Sequence, residues 1–281
     1  MICFKQILLT ILATNLLFAQ PKQIWVDSTY QSLTLDQKIG QLFMPMVFSQ
    51  GDQRHYQQIS EDLRKYHLGG IIFSKGTIAE QVRLTNLFQN QSKVPLLIAM
   101  DAEWGMAMRL SDAKPFPYQM TLGAIQNDSL LYEMGYAMAN RQRRLGVHLN
   151  FAPAVDINTN AKNPVIGLRS LGSDPELVTK KAGMLLRGMQ DGKLMTSIKH
   201  FPGHGDTSTD SHHTLPVVSH SINRLNQVEL YPFKTLIDEG VFSVMVGHLE
   251  VPTLEKVKGR PSSLSPLLCQ TFLKRNLDSP A

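Results

Sequence analysis

Between residues 41 and 250 the chain alternates six short, nearly continuous apolar runs with amphipathic stretches of helix length, and that rhythm restricts the fold more than any other feature. A run without polar alternation is the mark of a parallel strand buried on both faces, and parallel pairing needs a crossover of about that length between strands. The runs predict strands at 41–48, 69–74, 96–103, 147–156, 194–200 and 242–250. The intervening patterns predict helices at about 56–66, 77–91, 129–144, 175–190 and 223–239, with a sixth near 265–276. Asp174 before Pro175 reads as an N-cap followed by a proline in the first turn. Polar residues gather where the runs end: Asp101 and Glu103, Asn150 and Asp156, Lys199 and His200, His248 and Glu250. One edge of the sheet is therefore the reactive edge. That suits an α/β fold of the TIM (β/α)8 barrel type, and also an open doubly wound sheet, but no Gly-rich fingerprint follows the first strand to support nucleotide binding. Six units of about 39 residues leave no room for two more, so the expected barrel is incomplete, about six of eight units.

Residues 1–19 carry one positive charge, Lys5, then an apolar segment from Ile7 to Phe18 and the small residue Ala19. This predicts an exported signal peptide, too short for a spanning helix; a buried N-terminal helix is the alternative, because Leu17 suits a cleavage site poorly. The organisation expected is a signal peptide at 1–19, a lead-in at 20–40, the barrel at 41–277 and an aberrant tail at 278–281, in a periplasmic or secreted protein with no stable membrane insertion after the signal is removed. Of two cysteines only Cys269 would remain in the mature chain, so packing and not a disulfide must hold it. The net charge is +5, but the basic residues are scattered, and the cluster Arg141, Arg143 and Arg144 falls at a helix end, where cations complement the dipole. No nucleic-acid partner follows from it.

Four of the nine histidines fall in the fifteen residues from Lys199 to His213, which read K-H-F-P-G-H-G and then, after Asp206-Thr207-Ser208-Thr209, D-S-H-H. Pro202 and Gly203 end regular structure after the fifth strand, so these groups sit on a loop mouth, where catalysis concentrates. His200, His204, Asp206, Asp210, His212 and His213 are all competent metal ligands, yet their spacing matches no metal motif, and no metal is expected. Asp210 and His212, two apart, share a face of an extended loop, and a carboxylate on one imidazole nitrogen raises the basicity of the other. His213 and His220 read as surface or satisfied histidines.

This pattern resembles the N-terminal catalytic domain of glycoside hydrolase family 3, in particular its bacterial β-N-acetylglucosaminidase branch, over nearly all of residues 30 to 277. The resemblance implies that His212 is the general acid/base and Asp210 its partner. It implies that Asp101, Arg169, Lys199 and His200 bind the terminal sugar, with Arg109 supporting them from behind. Asp101-Ala102-Glu103-Trp104-Gly105 departs from the Asp-x-Glu-Gly-Gly found in many members by placing a bulky ring near the site. The family's nucleophile, an aspartate on the seventh strand, is expected beyond Ala281, in a parent of which this is a truncated or frameshifted copy. The implied reaction is retaining hydrolysis of terminal β-linked N-acetylglucosamine, without cofactor, on amino-sugar glycans or muropeptides of the cell wall. Two rivals are a non-catalytic saccharide-binding remnant and a metal-dependent barrel hydrolase.

Overall fold

Each apolar run supplies one parallel strand: β1 (Met46–Phe48), β2 (Gly70–Ser74), β3 (Leu97–Met100), β4 (Leu149–Asn150), β5 (Met195–Phe201) and β6 (Ser243–Val246). The computed structural model describes residues 21–209 and 214–273. Within them the strands lie in the order β1-β2-β3-β4-β5-β6, each beside its sequence neighbours. The register sets Val47 opposite Phe73, Ile71 opposite Ile98, Met100 opposite Asn150 and Ile198 opposite Val244, with one shift in the β5–β6 ladder between Lys199 and Phe201. This is the α/β arrangement of a TIM barrel that is not closed: among the described residues β1 and β6 do not pair.

The helices are α1 (Pro21–Ser32), α2 (Leu35–Gly40), α3 (Gln53–Tyr66), α4 (Ile78–Gln91), α5 (Gln119–Gly123), α6 (Ser129–Arg144), α7 (Pro175–Asp191), α8 (Ile222–Gln227) and α9 (Tyr231–Asp238). Side chains start several of them: Asp52, Thr77 and Asp174 accept from the backbone N–H of His55, Glu80 and Leu177, each satisfying one orphan donor. Pro175 follows its cap as expected, and Arg141, Arg143 and Arg144 occupy the last turn of α6. Among the described residues no helix is long and apolar enough to cross a membrane.

The structure departs from the sequence pattern where proline intervenes. The first run begins its ladder only at Met46, because Gln41–Phe43 is a turn closed on Ile39 and Gly40 and Pro45 precedes the strand. The fourth run, expected to continue to Asp156, pairs only at Leu149 and Asn150. Pro153 has no ladder donor, and the chain then rejoins β5 at a single bridge between Ala154 and Lys199. That detour carries Asp156 to the end of β5. The long helix expected over 223–239 is two helices, with Pro232 in the first turn of the second. The helix expected near 265–276 is a wide π-type segment, Leu267–Leu273, after a 3₁₀ turn at Ser262–Leu264.

The core lies between the sheet and its helices. Val47, Ile71, Phe73, Ile98, Met100 and Ile198 from the strands meet Leu84, Phe88, Met138, Leu185, Phe233 and Leu236 from the helices, all buried. Complete burial of each such side chain contributes on the order of 1.5–3 kcal/mol. Helices α6 and α7 approach closely enough that glycine is required at the crossing. A methyl group on Gly135 would lie 2.3 Å from the Leu185 carbonyl oxygen, and one on Gly188 would lie 2.1 Å from that of Tyr132. The clash is with backbone, which cannot swing aside.

Gly135→Ala therefore tests this crossing. Helix propensity alone would add about 1 kcal/mol, whereas overpacking costs about 1–3 kcal/mol. The expected outcome is a net loss of about 1–2 kcal/mol in urea unfolding; a gain in stability would show that the helices do not approach as described.

Candidate active site

The carboxyl ends of β3, β4 and β5 converge on one connected set of ionised side chains. Past Met100 the chain presents Asp101 and Glu103, while Asn150 of β4 accepts from the N–H of the intervening Ala102 at 3.0 Å and donates to its carbonyl at 3.2 Å. That pair of bonds replaces the ladder and fixes which way both carboxylates point. Glu103 is fully buried. A lone carboxylate there would cost several kcal/mol, and two cations offset the penalty. Arg169 donates to Glu103 through Nη2 at 2.7 Å and Nε at 3.0 Å, a bidentate pair. Lys199, 1% exposed, places its ammonium 2.8 Å from Glu103 Oε1 and 2.8 Å from Asp101 Oδ1. Asp101 Oδ2 accepts from Arg109 at 2.8 Å.

Arg169 comes from the 3₁₀ turn Gly167–Arg169, whose placement depends on Gln119 of α5: the Gln119 amide donates to the Arg169 carbonyl at 2.6 Å and to that of Ala154 at 2.7 Å. On its far side Arg169 Nη2 lies 3.2 Å from His200 Nε2, and His200 Nδ1 lies 2.8 Å from Asp156 Oδ2. Arginine can only donate, so Nε2 of His200 is the accepting nitrogen and Nδ1 carries the proton toward Asp156. Asp156 also accepts the backbone N–H groups of His200 at 3.2 Å and His204 at 2.7 Å.

Electrostatics follow from burial and partners. Burial alone would raise the Glu103 pKa, but Lys199 and Arg169 outweigh it and hold the group at about 2. Asp101 is likewise pushed up by burial and brought below the usual range by Lys199 and Arg109. For Asp156 the His200 imidazole and the His204 N–H overcome the same penalty. Burial lowers the His204 pKa, against the opposing pull of Asp156. The result is a preorganised set of charged donors and acceptors suited to a ligand rich in hydroxyl groups. The side chains of Asp101, Arg169 and His200 keep between 17% and 22% exposure, so they present the ligand-facing atoms, while Glu103 and Lys199 sit beneath them.

Asp101, Arg169, Lys199 and His200, picked out from sequence, thus meet in one network, with Arg109 behind Asp101. Asp210, His212 and His213 lie outside the described residues. His220, read as surface or satisfied, bonds Asp206 at 2.6 Å. Glu103 and Asp156 join the network although sequence reasoning noted them only as polar residues near strand ends. The signal available for both was a carboxylate inside an apolar run, which cannot stay unpaired.

Residues 34–278 match the Glycosyl hydrolase family 3 N terminal domain. The chain is 33% identical over 243 residues to beta-hexosaminidase A of Pseudoalteromonas piscicida, covering 78% of this chain and 41% of that protein. Among solved structures it is similar to a glycoside hydrolase family 3 β-N-acetylglucosaminidase from Paenibacillus sp. FPU-7, with 39% identity and a TM-score of 0.80, covering 87% of this chain and 47% of that one. It is also similar to NagZ from Neisseria gonorrhoeae in complex with N-trifluoroacetyl-D-glucosamine, with 27% identity and a TM-score of 0.73, covering 84% and 70%. The chain spans less than half the length of the first two.

The Glu103 pairing has a pH signature. Its folded pKa of about 2 lies below the unfolded value of 4.5, so its contribution is fully present above 4.5 and is lost as pH falls toward 2. At 1.36 kcal/mol per unit this amounts to about 3 kcal/mol of acid-labile stability. Glu103→Gln is expected to lower stability at pH 6 and to flatten the decline between pH 4.5 and 2, measured by urea unfolding across that range. An unchanged acid limb would contradict the assignment.

Proposed function

The chain belongs to glycosyl hydrolase family 3, and from that premise we propose that it acts on terminal β-linked N-acetylglucosamine, hydrolysing the glycosidic bond with retention of configuration. The observation that carries this reading is the charge network at the ends of β3, β4 and β5. Asp101, Arg169 and His200 offer fixed hydrogen-bond partners to the hydroxyls of the terminal sugar, and Lys199 with Glu103 holds them in place. The names of the similar proteins support an amino sugar as substrate.

In this proposal Asp210 orients His212, which protonates the leaving oxygen and then activates water. Retention also needs a carboxylate nucleophile on the other face of the anomeric carbon. By the resemblance to the family, an aspartate on a seventh strand would supply it. Export directed by residues 1–19 would bring the enzyme to peptidoglycan fragments outside the cytoplasm, and N-terminal sequencing of the protein from its native host tests that part.

The native protein should hydrolyse 4-nitrophenyl N-acetyl-β-D-glucosaminide in preference to 4-nitrophenyl β-D-glucoside; the reverse preference would overturn the amino-sugar reading. Saccharide binding by calorimetry without any turnover would favour a non-catalytic binding protein. For the acid/base assignment, His212→Ala should slow substrates with poor leaving groups by roughly 10²- to 10⁴-fold and activated aryl glycosides less. Equal loss on both classes would count against it.

A further inference from the structure

Trp104 is a large apolar side chain with no part in the core. It is neither among the buried residues of the hydrophobic cluster nor among the half-buried side chains packed against it. Both its chain neighbours are held in place. Glu103, the preceding residue, is pinned by Lys199 and Arg169. Gly105, the next, is at φ +82°, with the space where its Cβ would stand only 2.7 Å from the Phe116 ring. The Trp104 carbonyl accepts the Phe116 N–H at 3.0 Å, and the Arg141 guanidinium covers the Phe116 ring at 4.5 Å from its centroid. The backbone under the indole is therefore fixed on both sides.

The indole meets one other ring. The Trp104 and Tyr118 centroids are 4.7 Å apart with planes at 58°, and Tyr118 is 44% exposed. Tyr118 directly precedes Gln119, whose amide holds the Arg169 carbonyl. Each member of the aromatic pair is thus one residue from a group that sets the geometry of the charge network. Trp104 is half-buried, so its indole keeps part of its apolar surface open to solvent, and the exposed Tyr118 ring extends that area.

We propose that Trp104, supported by Tyr118, is a stacking platform for the apolar face of a sugar ring, gripping the saccharide unit next to the one held by Asp101, Arg169 and His200. This deepens the saccharide reading of the site and rests on it. A ring fixed before the ligand arrives loses little conformational freedom on binding, and an indole covers the C–H face of a pyranose while the hydroxyls stay free for hydrogen bonds. Trp104 then selects for a substrate of at least two units.

The test uses the only two tryptophans, Trp104 and Trp25. In Trp25→Phe, Trp104 is the sole indole reporter, and N,N′-diacetylchitobiose is titrated by fluorescence and by calorimetry. A saturable spectral change with the calorimetric affinity is expected. In the otherwise native protein Trp104→Ala should weaken chitobiose about tenfold, while Trp104→Phe keeps it within about threefold. Calorimetric saturation with an unmoved spectrum, or chitobiose bound by Trp104→Ala as tightly as by the parent, overturns the platform but leaves the saccharide reading standing. Absence of calorimetric binding to the parent defeats both.

Discussion

The buried carboxylate of Glu103 is the constraint from which the rest of the site follows. With no solvent contact it must be paired, and a single cation would itself need further partners once desolvated. Two cations answer it and carry the demand outward. Lys199 needs Asp101, Asp101 takes Arg109, Arg169 needs an acceptor on its far side and finds His200, and His200 is fixed in turn by Asp156. The chain of pairings runs across the ends of three strands. The cluster sets three carboxylates, Asp101, Glu103 and Asp156, against three basic side chains, Lys199, Arg109 and Arg169, with His200 bridging Arg169 to Asp156.

Balance explains why this cluster can be both rigid and useful. The most buried members, Glu103 and Lys199, act as a keel, and those with some exposure, Asp101, Arg169 and His200, keep their orientation because of it. A neutral polyhydroxylated ligand would find donors and acceptors already aimed, with little reorganisation on binding. The proposed platform answers a different need: charged groups read hydroxyls but leave the C–H faces of a sugar unmet, and the ring pair of Trp104 and Tyr118 would supply apolar area for them.

Some of this was legible in the chain and some was not, for identifiable reasons. Continuous apolar runs marked the six strands because burial on both faces leaves few other compositions available. The run around residues 147–156 misled, since Ala152, Pro153, Ala154 and Val155 are buried without a regular ladder; burial and strand pairing are separate facts there. Residues 223–239 kept an apolar rhythm through Pro232 that backbone geometry could not follow. At the site, Asp101, Lys199 and His200 were marked by their place where apolar runs end, and resemblance to a family gave them a role and added Arg169. The partner of each was invisible, because Arg169 reaches Glu103 across 66 residues and Lys199 reaches Asp101 across 98. Such pairings are products of strand order, which local patterns do not encode.

Strand order also decides which parts of the site stand on their own. The network is rooted on β3, β4 and β5, whose ladders to one another include Met100 with Asn150 and Asn150 with Thr196. It does not use β1, and β6 touches it only by pairing with β5. The proposed grip on a sugar would therefore depend on the middle of the sheet, whereas proton transfer is proposed for the loop after β5 and nucleophilic attack for a seventh strand. Binding and chemistry are thereby assigned to different structural regions. On that proposal a substitution that loosens the middle strands should disturb both, because the reacting bond would be positioned by the sugar that those strands hold.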